Sequence, residues 1–450
     1  MTPSQIASLC VLAAILAVSI LRKVNIGVVA LVATLVLAAV THTNVAKALG
    51  AFPASLVILI VGVTLLFAHA ERSGAVTWLV DQALRVIGDR HWIIPWIGFV
   101  LGAALSTIGA FPTAPISLLL PILAHLARTY RLNYLMMAVI CVLGSNAAGL
   151  SPLSPAGALV GTLVQNARAT YSPWGLYGLV MAMHVVVAGA IFLAQGGYRR
   201  VATGVACPVG CERVSAVAAT GAGVTSVGHI ASSTWDSIAG IPGGQERTGP
   251  TRFQRSYRAA SLISLLLFVL ITVLFKLDVG LTAVTMAFLL QVTFRPPEAE
   301  LIKKVPWGVV LLLGGLVIYL NLLGTIGTLD AIEHALAGIA SPALLILVVS
   351  YITAIISNME SSTLAVLGVM VPVALSVAGA SAIEITALMV AVVMSAAVVV
   401  MSPLHVAGAL IIANTPNNEQ QVVFRRLLIW SAVLTAIVPG VAALFPILLA

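Results

Sequence analysis

The feature that most constrains this chain is a succession of apolar stretches that fills its 450 residues, interrupted by one polar segment at 199–257. A helix needs roughly 20 mostly apolar residues to cross a bilayer, and windows of that kind fill the chain outside that segment. Only 8% of the residues are charged, where a soluble domain carries about 25%. Inside a bilayer every backbone group must be satisfied within its own element, which favours helices. The chain therefore reads as an all-α polytopic membrane protein with one polar insertion. The first stretch, 6–21, has no basic residue ahead of it and is followed by Arg22 and Lys23. It reads as a retained first helix, not a cleaved signal.

The chain also repeats itself. K-V-N-I-G at 23–27 recurs as K-L-D-V-G at 276–280, an offset of 253 that also pairs Gly62 with Gly315 and Gly74 with Gly327. S-P-L-S-P-A-G-A-L at 151–159 recurs as S-P-L-H-V-A-G-A-L at 402–410, an offset of 251 that also pairs Ser106 with Ser357, Pro121 with Pro372 and Asn166 with Asn417. General apolar similarity would not hold Gly, Pro and Ser in register over about 170 residues. Residues 1–198 and 258–450 are expected to be two copies of one unit, separated by the insertion 199–257.

Each copy contains six apolar stretches: 5–21, 26–42, 54–87, 93–127, 134–168 and 175–197, then 258–275, 279–294, 306–338, 342–380, 384–415 and 427–449. The fourth has a polar centre, S-T-I-G-A-F-P-T-A-P in the first copy and S-N-M-E-S-S-T in the second. A polar centre suits a re-entrant hairpin, at 93–127 and 342–380. The fifth, 134–168 and 384–415, is interrupted at S-P-L, where proline removes a donor and bends the helix. Such breaks are tolerated at membrane depth where they line a cavity or are covered by protein.

If the fourth stretch re-enters and the other five cross, each copy crosses an odd number of times and the two are inverted. Lys and Arg test this scheme. One side receives 19 of them and the other only Lys47, Arg168 and Lys276. Without the six in the insertion the bias is still 13 to 3. The positive-inside rule then places both termini outside a bacterial-type inner (plasma) membrane and the insertion in the cytoplasm. The hairpin 93–127 opens from the cytoplasm and 342–380 from outside. The same asymmetry accounts for the net charge of +8 without nucleic acid as a partner. Cys10 and Cys141 lie in apolar stretches, and Cys207 and Cys211 form C-P-V-G-C with no second pair to complete a metal site. Neither metal nor organic cofactor is expected.

Inverted repeats with discontinuous helices point to a secondary transporter. A helix broken at mid-membrane offers N–H groups to an anion at the start of its second half, and carbonyls to a cation at the end of its first. Four segments should line the chamber: 106–115, 149–157, 357–363 and 402–408. The candidate substrate residues are Ser106, Thr107, Thr113, Ser151, Pro152, Ser154, Ser357, Asn358, Ser361, Ser362, Thr363, Ser402, Pro403 and His405. Those for a coupling ion are Ser106, Gly149, Ser357, Asn358, Glu360 and Gly408. No Arg is among them, which favours a small anion. Small residues also serve close helix packing, but their clustering in four matched places favours a site. Glu360 is the one carboxylate well inside an apolar stretch. It reads either as a proton or cation carrier or as a group in a wet vestibule. His405 reads as a substrate contact or as a structural residue. The matched positions differ: Thr107 pairs with Asn358, Gly109 with Glu360 and Ser154 with His405. Ligand chemistry is thus expected to lean on the second copy. No H-E-x-x-H or intramembrane Asp pair suggests an enzyme.

At G-L-S-P-L-S-P-A-G, 149–157, and S-N-M-E-S-S-T, 357–363, the sequence resembles the ion transporter superfamily, and within it the MatC-like dicarboxylate (malonate) carriers. It is more distantly similar to the divalent anion–sodium symporters, whose hairpin tips carry a Ser-Asn-Thr signature. Ser357 and Asn358 match the first two signature positions, with Met359 in place of Thr. Ser106 matches in the first copy, with Thr107 where Asn is expected. The resemblance implies an elevator-type homodimer in lipid, with early helices as a fixed scaffold and hairpins and broken helices sliding as one body. It implies symport of a small dicarboxylate, malonate- or succinate-like, with Na⁺ or H⁺. On the same architecture, a cation/proton antiporter or an arsenite-type extruder would use Glu360 as its ion-binding acid.

Overall fold

The computed structural model describes residues 2–22, 24–87, 93–196, 251–328, 331, 342–360, 362–379 and 385–449. Lys23, Ser361 and most of the insertion, with Cys207 and Cys211, lie outside the described residues. Among the described residues there is no strand.

The first half runs α1 (Pro3–Arg22), α2 (Ile26–Val40), the short α3 (Val45–Leu49), α4 (Ala54–Arg72), α5 (Ala75–Ile87), α6 (Ile94–Thr107), α7 (Thr113–Tyr130), α8 (Tyr134–Ala148), α9 (Pro155–Asn166) and α10 (Pro173–Ala194). The second half follows a parallel order: α11 (Arg252–Phe275), α12 (Val279–Phe294), the short α13 (Glu298–Ile302), α14 (Trp307–Ile326), α15 (Pro342–Met359), α16 (Thr363–Gly379), α17 (Ile385–Ala397), a 3₁₀ turn (Val399–Met401), α18 (Val406–Ala413) and α19 (Gln420–Leu449).

Local chemistry sets many of these boundaries. The recurring motif at 23–27 and 276–280 is a helix start. Asn25 caps α2 by accepting from the Gly27 N–H, and Asp278 caps α12 by accepting from the Leu281 N–H. Thr251 and Gln254 form a reciprocal capping box. It lets α11 begin at Arg252, ahead of the apolar stretch that starts at 258. The stretch 54–87 is two helices, because Gly74 adopts a left-handed φ of 75° that ends the first. The polar centres of 93–127 and 342–380 separate the limbs of two helical hairpins, α6–α7 and α15–α16. The stretches 134–168 and 384–415 are broken, at 149–154 and 398–405.

The halves interlock. Helix α2 packs on α14, and α4 packs on α12. Glycines permit both crossings: a Cβ at Gly62 would lie 2.6 Å from the Gly280 carbonyl oxygen, and one at Gly280 2.7 Å from the Leu59 nitrogen. Gly27 and Gly315 meet in the same way. The 253-residue offset carries each of these contacts onto the other.

Helices α8 and α17 are central. Residues 135–148 and 387–397 are buried without exception. Each packs on the two limbs of its own hairpin, α6–α7 or α15–α16, and on the last helix of its half, α10 or α19. Among the described residues, six helical segments are long and apolar enough to cross a membrane. In Ile385–Ala413 89% of the apolar window is buried, and in Arg252–Phe275 only 22%, so the broken helix is core and α11 is peripheral. A long apolar helix left exposed needs an apolar solvent. The chain is a multi-pass, all-α membrane protein.

Candidate functional site

The first hairpin tip and the first break lie against each other. Ser151, in the break, donates from Oγ to the Thr107 carbonyl at 2.9 Å and accepts from the Leu153 N–H at 3.2 Å. Gly109 has φ 117°, and a Cβ there would come 2.7 Å from Val63 of α4 and 3.0 Å from the Leu153 carbonyl oxygen. Gly149 faces Pro112 as closely, with 2.6 Å to the ring. Thr107 Oγ1 lies 2.7 Å from the Ala103 carbonyl oxygen and 2.7 Å from the Tyr177 hydroxyl of α10. Thr113 opens α7, and it and Pro152 are half-buried.

Two hydroxyls in this region have no use in the fold. Ser106 Oγ and Ser154 Oγ are fully buried and find no hydrogen-bond partner among the described residues. Ser154 is the N-cap residue of α9, yet its side chain makes no capping bond. A buried polar group left unmade is costly. Its persistence at a helix N-terminus, where N–H groups point outward, suits a ligand that supplies the missing partner.

The second hairpin tip uses its polar groups differently. Ser357 Oγ donates to the Ala396 carbonyl at 2.7 Å, near the end of α17. The Asn358 amide donates to the Ala354 carbonyl at 2.9 Å and to Thr435 Oγ1 of α19 at 2.6 Å. Glu360 is half-buried at the tip, its backbone N–H bonded to the Ile356 carbonyl at 2.8 Å. Ser362 and Thr363 are half-buried at the start of α16, and Ser361 lies outside the described residues. In the second break, Ser402 and Pro403 are buried. His405 caps α18, its Nδ1 accepting from the Ala407 N–H at 3.2 Å, and its Nε2 has no partner. Gly408 packs on the Ser402 carbonyl as Gly157 packs on that of Ser151.

The two tip-and-break pairs are joined by the helices behind them. Helix α9 packs on α16, α18 packs on α7, and α8 touches both α18 and the 3₁₀ turn. The Tyr134 hydroxyl donates to the Ile411 carbonyl at 3.2 Å. All four candidate segments thus belong to one packed body.

Several side chains that matter here were passed over in reading the sequence. Tyr177 and Thr435 hold the two hairpin tips from the last helix of each half. Asn146 is buried one turn before the first break, its amide donating to the Val142 carbonyl at 2.9 Å. His184 is fully buried in α10. An ionisable residue in an apolar helix is itself a signal, so His184 was visible, whereas the partners of Tyr177 and Thr435 were not.

Residues 1–149 match the family model described as the dicarboxylate carrier protein MatC N-terminus. The first third of the chain is MatC-like. The MatC-like region runs from α1 through α8, contains the whole first hairpin and ends at the first break. It bears out the resemblance read from residues 149–157 and 357–363. No curated protein matches the chain.

Proposed function

We propose that this protein is a secondary active carrier of a small dicarboxylate, malonate- or succinate-like, with uptake coupled to Na⁺ or H⁺ in a bacterial-type inner membrane. The observation that carries the reading is the pair of buried, partnerless hydroxyls, Ser106 and Ser154, at a hairpin tip and a broken-helix N-terminus beside a MatC-like region. A carboxylate would satisfy Ser154 and the exposed N–H groups of α9 together. With no Arg or Lys in the four segments, affinity rests on hydroxyls, amides and helix termini, which suits a small anion.

In this reading the two halves are inverted repeats, and the exchange of Gly27–Gly315 with Gly62–Gly280 under one offset supports it. The α2–α14 and α4–α12 crossings would form the scaffold. The hairpins, α6–α7 and α15–α16, would re-enter the membrane and move with the broken helices in an elevator-type cycle, within a homodimer. The charge bias supports termini outside and the insertion in the cytoplasm.

The test is uptake by purified protein in liposomes, with a panel of radiolabelled mono-, di- and tricarboxylates under imposed Na⁺ and pH gradients. Gradient-driven accumulation of one dicarboxylate is the expected result. Transport of a cation or of arsenite with no carboxylate dependence would replace the reading with an antiporter or extruder.

A further inference from the structure

Where the ends of α4, α11 and α12 meet, positive charge outweighs negative. Arg252, Arg255 and Arg258 stand in the first two turns of α11, whose first turn has no acidic residue. Arg295 follows α12 in the left-handed conformation, with φ 47°. Arg72, Lys303 and Lys304 complete the group, against Glu71, Glu298 and Glu300. By sequence, α5 and the stretch after it add Asp81 and Asp89 with Arg85 and Arg90, which balance one another.

The ion pairs here leave the arginines of α11 and α12 in excess. Glu300 is taken by Arg72 and Glu71 by Lys304. Arg258 lies over the Trp78 ring of α5, its Cζ 5.6 Å from the ring centroid. Arg252, Arg255 and Arg295 are exposed. Cations at the start of a helix oppose its macrodipole, so an anion beside them is stabilising.

Aromatic contacts fix this corner. Phe253 meets Phe294 edge to face at 5.7 Å between centroids, and Tyr257 stacks on Phe294 at 4.5 Å. His69 of α4 holds the Tyr257 hydroxyl at 2.8 Å. Arg252 and Arg295 are chain neighbours of two rings in contact, so both cations belong to one corner.

Beyond the corner the same two helices turn apolar side chains outward. On α11, Leu266, Leu270 and Leu274 follow one face at four-residue spacing, and all three are exposed. Helix α12, packed on α11, adds exposed Phe288, Leu289 and Val292. The surface thus has a cationic head and an apolar flank. A soluble polyanion would match the first alone, and a neutral lipid the second alone. An anionic phospholipid matches both, and basic clusters at the end of a membrane helix are where such headgroups bind.

We propose that this corner is a binding site for an anionic phospholipid, its phosphate among Arg252, Arg255 and Arg295 and its acyl chains along the exposed faces of α11 and α12. The site rests on the membrane class of the chain and not on the carrier reading. Both helices pack on α4, so a lipid bound here braces the α4–α12 crossing at Gly62 and Gly280. It stabilises the fold by mass action.

Two measurements on the full chain test this. In the first, delipidated protein in a neutral detergent is titrated with phosphatidylglycerol, or with phosphatidylcholine bearing the same chains, and its thermal unfolding is followed. Phosphatidylglycerol should raise the melting temperature saturably, with a weaker effect in high salt, and phosphatidylcholine should not. Each arginine near an anionic headgroup is worth about a fivefold gain in affinity. Joint replacement by Arg252→Gln, Arg255→Gln and Arg295→Gln should therefore move the midpoint at least about tenfold. Arg425→Gln with Arg426→Gln, which removes two exposed arginines of α19, should leave it in place. An equal response to both lipids, or an unmoved midpoint in the triple variant, overturns the proposal. So does the same rise with glycerol phosphate alone, which would make the corner a site for free phosphoesters. The second measurement needs no variant, and decides the matter if the triple replacement does not fold. Wild-type protein in vesicles containing a phosphatidylglycerol analogue, photoreactive near its headgroup, is irradiated and its labelled peptides are mapped. Label should concentrate at 251–258 and 288–295. An unlabelled corner, as when a second copy or the polar insertion covers it, overturns the proposal.

Discussion

Gly27 and Gly315 touch backbone to backbone where α2 crosses α14, so closely that a Cβ on either would overlap the main chain of the opposite helix. Membrane helices associate through such close approach of small residues, since lipid offers apolar side chains no less than a neighbour does.

Alanine at Gly27, Gly62, Gly280 or Gly315 should therefore destabilise the protein, by roughly 1–3 kcal/mol or more. Gly178 and Gly189, where a new Cβ would meet nothing within 4 Å, are the controls. Thermal unfolding of the detergent-purified variants, followed by size-exclusion, reads the difference. Equal melting of both sets would show that the crossings do not depend on backbone contact.

Ser106→Ala and Ser154→Ala should separate stability from function. Each removes a buried hydroxyl without a partner, so the melting temperature should hold or rise, while dicarboxylate uptake is lost. Ser151→Ala and Ser357→Ala each break a hydrogen bond to a carbonyl and should lower stability by about 1 kcal/mol. A large loss of stability in the first pair, with uptake kept, would make those hydroxyls structural.

Tyr177→Phe and Thr435→Val each remove a hydroxyl that holds a hairpin tip, at Thr107 and Asn358. The expected cost is about 0.5–1.5 kcal/mol per bond, read as a several-fold change in the KM for uptake. Thr435→Ser should restore it. Unaltered KM in all three would mean that the tips keep their position without help from α10 and α19.

At the end of α4, His69 Nδ1 lies 2.8 Å from the Tyr257 hydroxyl, and Tyr257 stacks on Phe294 at 4.5 Å between centroids. Tyr257→Phe keeps the stack and strands the buried histidine, so it should cost about 1–3 kcal/mol. The nearby ion pairs, Arg72–Glu300 and Lys304–Glu71, are part-exposed. Glu71→Gln or Glu300→Gln should cost no more than about 1 kcal/mol. Chemical denaturation ranks the three, and the reverse order would refute this assignment.

Along the chain, the sequence by itself determined the membrane class, the parallel succession of helices in the two halves and the interruptions of the fourth and fifth stretches in each half. These depend on local properties: apolar length, the caps at Asn25 and Asp278, the left-handed Gly74, and the polar turns at 108–112 and 149–154. Even the glycines that permit the crossings were marked by their offset. Tertiary structure decided what each hydroxyl does. Ser106 and Ser357 are matched in sequence, yet Ser357 is committed to the Ala396 carbonyl and Ser106 is left without a partner. The expected lean toward the second half rested on residue types, whereas among the hydroxyls at the tips and breaks those left without a partner, Ser106 and Ser154, are in the first half. Tyr177 and Thr435 reach the tips from helices distant in sequence. The reason is physical: helix formation and its interruption follow from neighbours in the chain, whereas a buried donor is satisfied by whatever backbone or side chain the packing of another helix brings opposite it.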